Sequence, residues 1–400
     1  MFSVSFYNRF FYPDISATSQ ILTELVLGLR DRGINIDVIC SDASYLGGKI
    51  KLDNSEIEGI SIKRLSSTSL GRKRKFYRYI DFFSYLSLSA TNILFDKSDI
   101  LVFFTDPPFL NILGSLLGSI KGKKKVVVLQ DFFPYAAMAV NLINDGLLFN
   151  LFDKQTVFSL NLSEKVVVLS ERMAEFAISK GVRGEKIVVI HNWADKDLIQ
   201  REERKDKIFL EKYGLKEEDF VILYSGNLGL GHEFDTILDV VSELNDVILL
   251  FVGDGPSCEY VRNRALKANL NNVRFYPYVD KGKLSLSLSV ADVHLITQLP
   301  DVVGINMPSK LYGCMASGRP ICYIGSMDSD VASIINNARC GRAFNIGDKY
   351  SIIDFINFLK SEPAHREHMG IKAREYFVKH FDKEIGINKY YDLLNDVYNS

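Results

Sequence analysis

Residues 220–241 read FVILYSGNLGLGHEFDTILDVV. A short apolar, β-branched and aromatic run, 220–224, is followed by a turn carrying Gly226, Gly229 and Gly231. Phe234, Ile237, Leu238 and Val241 then recur at helical spacing. Strand, glycine turn and amphipathic helix in that order make one βα unit, and repetition of the unit builds a parallel sheet covered by helices. Working outward, further strands are expected at 247–252, 273–276, 293–297, 320–323 and 341–344. An earlier series is expected at 2–7, 35–40, 60–64, 100–104, 125–130 and 165–169. Leu22, Leu25, Val26 and Leu29 place a helix over 18–32, which Gly33 ends.

The polar, charged stretch 195–219 separates the two series. The expectation is therefore an α/β protein with Rossmann-like domains at 1–192 and 193–375, and a C-terminal helix, 376–400, packing back on the first. Four hundred residues are more than one core usually organises, and 47% hydrophobic with 24% charged residues is ordinary for a globular chain. A formal net charge of −1 provides no overall attraction to nucleic acid or acidic lipid. Cys40, Cys258, Cys314, Cys322 and Cys340 stand singly, without metal-ligand spacing, and read as reduced cytosolic thiols. The opening MFSVSFYNRFFYPD lacks the basic start and cleavage site of a signal peptide. The most apolar long window, 101–120, holds Asp106, Pro107 and Pro108, which a membrane-spanning helix would have to satisfy.

Ligands of such sheets bind at the carboxyl ends of strands, where loop amides and helix starts meet phosphate. Three segments qualify: 224–231, the turn FVGDGP at 251–256 whose Gly253 and Gly255 would clear room for a ribose or base, and PSKLYGCMASGRP at 308–320. In the last, Pro308, Ser309 and Lys310 open a helix and Lys310 is the expected phosphate contact. Each segment alone is equally compatible with an ordinary strand-to-helix turn, and Lys310 with a solvated first-turn lysine.

Taken together, FYPDxxATSQ near the N-terminus, VxLSERM at 167, IHNWAD at 190, YSGNLG at 224, FVGDGP at 251, NVRF at 272, ADVHL at 291 and PSKLYGxxASGRP at 308 resemble family 4 of the retaining glycosyltransferases. The likeness is to the bacterial branch that transfers fucose or N-acetylfucosamine-type sugars in capsule, colanic acid and O-antigen synthesis. The resemblance implies the GT-B fold, with an interdomain cleft, the acceptor on the N-terminal domain and a nucleotide-sugar donor on the C-terminal one. UDP-sugar is the favoured donor and GDP-sugar the other candidate; the sugar nucleotide is a substrate, and no cofactor is implied. The resemblance also implies diphosphate contacts from Gly226, Asn227, Leu228, Gly229, Pro308, Ser309 and Lys310, and nucleoside contacts from Gly253, Tyr278 and Val279. Two glutamates common in the family are replaced by Ile305 and Gly313, so sugar recognition shifts toward 301–306, including Asn306. The basic pair after the first glycine loop is replaced by Leu230, Gly231 and His232, with His232 a partial substitute.

Retention in this family is attributed to a leaving diphosphate that takes the acceptor's proton, so positioning and charge stabilisation carry the catalysis. The expected catalytic pair is Asp131, directly after a strand, with Lys310. An N-capping role for Asp131 is the competing reading. No clustered metal set stands out, and metal-independent transfer is expected. Asp14, Ser16, Thr18 and Phe132 are the acceptor-side candidates, with capping by Ser16 or Thr18 an adequate alternative. The run GRKRKFYR at 71–78 offers Arg72, Lys73, Arg74 and Lys75 to an anionic membrane, or simply to solvent. A polyprenyl-diphosphate-linked sugar is the acceptor the family implies, which places the protein in the cytoplasm, peripheral at the inner face of the plasma membrane. A catalytically silent GT-B subunit and a sugar-nucleotide 2-epimerase remain the competing functions, while nucleic-acid binding finds no recognition module.

Overall fold

The computed structural model describes residues 2–14, 16–44, 47–50, 57–70, 75–203 and 205–400. The chain forms two compact units: Met1–His191 with Gly304–Asn306 and Glu384–Ser400, and Asn192–Val303 with Met307–Lys383.

The first unit carries strands β1 (Ser3–Tyr7), β2 (Asn35–Ser41), β3 (Ile60–Leu65), β4 (Ile100–Phe104), β5 (Lys124–Val128), β6 (Lys165–Val168) and β7 (Ile187–Val189). All pair in parallel, in the order β3-β2-β1-β4-β5-β6-β7. A sheet covered on both faces needs continuous rather than alternating apolar strands, and β4 is buried at all five positions. Chain direction across the sheet reverses at the β1–β4 pair. Right-handed crossovers therefore put the helix Ala17–Asp31 on one face and the helices Lys75–Phe95, Leu110–Ile120 and Leu147–Leu162 on the other. Strand β7 was not legible in sequence. It is three half-buried residues directly after a tight turn, too short for any period to show.

Where the sequence predicts a C-terminal helix at 376–400, the chain forms two helices, Pro363–His380 and Lys383–Asn399, broken at Phe381 and Asp382. From Glu384 onward the second belongs to the first unit. It seats against Ala17–Asp31 at Gly28, where a Cβ would lie 2.5 Å from Ile387 Cδ1. Phe2 stacks on Tyr398 with centroids 4.7 Å apart, and Arg32 donates to Glu384 at 2.8 Å and Asn388 at 2.6 Å.

The second unit carries β8 (Phe220–Ser225), β9 (Val247–Val252), β10 (Val273–Tyr276), β11 (Val293–Thr297), β12 (Ile321–Ile324) and β13 (Gly341–Phe344). They too are parallel, ordered β10-β9-β8-β11-β12-β13, with the reversal at β8–β11. Ile222, Tyr224, Leu249, Phe251, Val293 and Leu295 enter one apolar cluster with Ile237, Leu238 and Val241 of the flanking helix. The residues whose spacing marked the opening βα unit are thus the ones that bury.

Ile387 is 1% exposed. Ile387→Ala is expected to destabilise the first unit by about 3 kcal/mol, seen as a lower urea midpoint for that unit with the transition of the second unit unchanged.

Candidate functional site

In the second unit the loops after β8 and β9 are fastened to each other. The Gly226 and Leu228 amides donate to the Val252 and Asp254 carbonyls at 2.9 and 3.0 Å, and the Ser257 amide donates to the Leu228 carbonyl at 3.0 Å. A Cβ on Gly253 would collide with the Gly226 carbonyl oxygen. Gly253 thus lets the two loops approach each other closely. Leu228 is wholly buried, and its amide is spent inside the fold. Within the described residues, Asn227 and Gly229 donate no backbone hydrogen bond, so their amides are the ones this loop can offer to a ligand.

Against this loop stands Lys310, the first residue of the helix Lys310–Ala316. Its Nζ lies 3.6 Å from the centroid of the Tyr224 ring, donates to the Tyr224 hydroxyl and approaches His232 Nε2 at 3.5 Å. The Tyr224 hydroxyl in turn donates a hydrogen bond to the Asn227 carbonyl at 2.7 Å. His232 Nδ1 lies 2.5 Å from the Thr297 carbonyl, a contact that requires Nδ1 to carry the hydrogen and leaves Nε2 as an acceptor facing the lysine. Burial, reinforced by Lys310, pushes the imidazole down to about 3. His232 is consequently neutral and orients Lys310; it does not replace the missing cations. Among the described residues Lys310 has no ion-pair partner, and burial holds its ammonium down to about 7. Ser309 is exposed, and its side chain makes no capping bond to the helix. Tyr278, 48% exposed, donates its hydroxyl to the Asp254 carbonyl at 3.0 Å and offers a ring face beside the second loop; Val279 next to it is half-buried.

In the first unit Asp131 follows β5 and forms an antiparallel bridge with Asn306, while the Phe132 amide donates to the Ile305 carbonyl at 3.0 Å. Asn306 therefore stands with Asp131 in the first unit. Gly304 makes this possible: its φ is 75°, and a Cβ there would lie 3.2 Å from the Arg172 carbonyl and 3.5 Å from Phe176 Cβ. Asp131 keeps a solvent-accessible side. The protein packed around its carboxyl pushes it up to about 6, Asp106 adds to the rise, and a hydrogen bond from the Asn306 side chain opposes it.

Phe132 does not reach an acceptor with its ring, which is fully buried and packs edge-on against Phe176 and Tyr135. Ser16 caps the helix Ala17–Asp31, accepting from the Ser19 amide at 3.4 Å, while Asp14 accepts from the Ser16 amide at 2.8 Å. Thr18 lies half-buried in the first turn. Arg72, Lys73 and Arg74 lie outside the described residues; Lys75 begins the helix Lys75–Phe95, its side chain likewise outside the description. Among the described residues no group of three or more His, Cys, Asp or Glu is placed to hold a metal ion. Sequence reasoning missed Tyr224 and Asp106. Asp106 carries the same mark as Asp131, a carboxylate directly after an apolar strand, while Tyr224 looked like the last residue of a strand and nothing more.

Residues 18–198 match the family model Glycosyltransferase Family 4, and residues 205–376 match Glycosyl transferases group 1. The chain is 24% identical over 248 residues to WbjE of Pseudomonas aeruginosa, named as a glycosyltransferase, covering 61% of this chain and 62% of WbjE. It is 28% identical over 209 residues to WcaI of Escherichia coli K12, named for colanic acid biosynthesis glycosyl transfer, covering 51% of each. The matches thus span between half and two thirds of these curated relatives. Among solved structures, Anabaena HepE in complex with UDP and glucose superposes with a TM-score of 0.76 at 15% identity, covering 99% of this chain and 100% of HepE, a likeness of fold. Two parallel-sheet Rossmann-like units of the GT-B type thus carry, in order, a segment that matches the family 4 model and one that matches the group 1 model, and the chain is similar in sequence to glycosyltransferases over both.

Proposed function

We propose that the protein is a retaining glycosyltransferase that moves a sugar from a nucleoside-diphosphate donor, with UDP-sugar favoured over GDP-sugar, to a lipid-linked or oligosaccharide acceptor in bacterial surface polysaccharide synthesis, without a metal ion. The observation that carries the reading is Lys310, a cation aimed by Tyr224 and His232 and, among the described residues, left without a carboxylate partner at the carboxyl edge of the second sheet. A buried ammonium in that state is a receptor for anionic charge. HepE, of like fold, is solved with UDP and glucose, and WcaI is named for colanic acid biosynthesis.

In the proposed step the acceptor oxygen forms a bond to the anomeric carbon as the bond to the diphosphate oxygen breaks on the same face. The acceptor proton passes to the leaving diphosphate, whose charge Lys310 and the loop amides stabilise. Asp131, oriented by Asn306, holds the acceptor hydroxyl, with Asp14, Ser16 and Thr18 lining the acceptor side. Thermal shift against UDP, GDP and their sugars, followed by transfer assays with lipid-linked acceptors in the presence and absence of a chelator, tests the reading. Uridine nucleotides are expected to raise Tm most, and turnover is expected to survive chelation. Donor binding without transfer or hydrolysis on any acceptor would instead identify a silent subunit.

Two sharper outcomes follow from the ionisations. Below pH 7 Lys310 is protonated in both folded and unfolded chains, and the folded state bears the full cost of its burial. Between pH 7 and the unfolded value near 10.4 the unfolded chain holds more protons, so stability rises with pH. Lys310→Met is therefore expected to raise the Tm of the ligand-free protein at pH 6.5–7 (roughly the foot of that window) while weakening UDP binding at least about 100-fold. Calorimetry of the wild type above pH 7, in buffers of different ionisation enthalpy, should show proton uptake on binding. For Asp131, the carboxylate is the working form, so kcat/KM should fall as pH drops below about 6; Asp131→Asn should lose most activity and this acid limb while binding donor normally.

A further inference from the structure

The sheet of the second unit has two edges, and Lys310 with its loops occupies the carboxyl one. At the amino edge, immediately ahead of the adjacent strands β8, β11 and β12, lies a cavity of about 620 Å³. Asp219 with Phe220, Asp292, and Arg319 with Pro320 form its inner wall, each at or just before the first residue of its strand. Arg319 belongs to the same 308–320 motif as Lys310, at its other end. The helix Pro363–His380 closes one side and brings Arg366 to the wall. It packs close because Gly370 has no Cβ, which would collide with the Gly318 carbonyl oxygen. The volume falls within the roughly 300–1,000 Å³ of small-molecule sites, and the proposed transfer uses nothing at this edge.

The inner wall holds more positive charge than it neutralises. Asp292 is the one buried carboxylate of the lining, and both of its oxygens are taken. Oδ2 accepts from the Val221 amide at 2.9 Å and from Lys205 at 2.6 Å, and Oδ1 faces Arg366 at 3.6 Å. Half-buried Asp219 accepts from the Lys216 amide at 2.9 Å. Arg319 is left over. Its Nη2 donates to the carbonyls of Glu202 at 3.0 Å and Ser289 at 3.2 Å, its Nε finds no acceptor, and among the described residues it forms no ion pair. Burial lowers the guanidinium below its ordinary range; Asp292 opposes the fall, and the nearby cations Arg201 and Arg366 add to it. Carbonyls aim such a group without cancelling its charge, and its planar fork matches the oxygens of a phosphate. The mouth has the opposite sign. Glu203, Glu217 and Glu218 are exposed, and among the described residues none enters an ion pair or a side-chain hydrogen bond. Glu367 and Lys360, also on the lining, are paired with Arg201 and Asp246. A free anion would be repelled at the mouth and a polyamine at the inner wall. A molecule with an anion at one end and an ammonium at the other suits both. Phe220, Pro320 and Pro363 offer apolar surface to a small ring between those ends.

We propose that this cavity is a second ligand site, for a phosphorylated amino sugar that sets its phosphate on Arg319 and Lys205 and its ammonium toward Glu203, Glu217 and Glu218. Isothermal titration calorimetry on the full chain, as wild type and as Lys310→Met, compares glucosamine 6-phosphate with glucose 6-phosphate, glucosamine and inorganic phosphate. Glucosamine 6-phosphate should bind wild type and Lys310→Met alike, and at least about 5-fold more tightly than any of the other three. Arg319→Gln should weaken it about 10-fold or more, and Arg319→Lys, which keeps the charge but not the fork, should restore part of the loss. The pair Glu217→Gln with Glu218→Gln, at exposed positions, should leave Tm unchanged and abolish the preference over glucose 6-phosphate, whether or not Arg319→Gln folds. No binding by wild type, equal affinity for glucose 6-phosphate or inorganic phosphate, or a preference that survives the double substitution would overturn the proposal. So would binding that Lys310→Met removes and Arg319→Gln retains, which would place the ligand at the opposite edge. A chain that binds glucosamine 6-phosphate as expected and transfers no sugar would keep this site and remove only the enzymatic reading.

Discussion

A lysine ammonium without a counter-charge among the described residues is the point on which the loops of the second unit's candidate site converge. Lys310 stands over the Tyr224 ring and against the neutral nitrogen of His232, partners that aim a cation without neutralising it. Each partner is constrained in turn. Tyr224 must point its O–H at the Asn227 carbonyl to be free to accept, and His232 must point its Nδ1–H at the Thr297 carbonyl to present a lone pair. The glycine loops must close on each other, Gly253 against Gly226, for the Asn227 carbonyl to be where the tyrosine needs it. A carboxylate in place of any of these would satisfy the lysine and remove its attraction for an anion.

The first unit uses the opposite arrangement. The protein packed around the Asp131 carboxyl, with another carboxylate, Asp106, near it, outweighs the hydrogen bond from Asn306, so its proton is held more tightly than in water. A carboxyl near 6 and an ammonium near 7 place both groups where small changes in surroundings alter their charge. That is costly for stability and would serve the proposed transfer, in which a hydroxyl is oriented and a diphosphate leaves.

The helices Lys75–Phe95, Leu110–Ile120 and Leu147–Leu162 of the first unit follow from composition more than from position. A sheet face needs helices with one apolar side, but these carry apolar residues around much of their circumference and turn both of their acids inward or aside. The excess has no use in packing the sheet, which Tyr85, Leu110 and Ile93 already accomplish.

The alternation of apolar runs with helical spacing was sufficient to read two parallel-sheet units, because burial on both faces dictates continuous apolar strands whatever lies beside them. The motif around Lys310 was likewise legible, since Pro308 and Gly318 bracket a short helix and only one ammonium falls within it. What no linear pattern contained was company. Nothing in the sequence ties Lys310 to Tyr224, 86 residues away, or tells a neutral His232 from a charged one, because protonation follows burial and a single carbonyl. Nor does order along the chain predict that Asn306, well inside the second series of strands, pairs with Asp131 in the first unit. Local periodicity decides which elements form; charge state and partnership are properties of the surroundings, and only the folded chain supplies those.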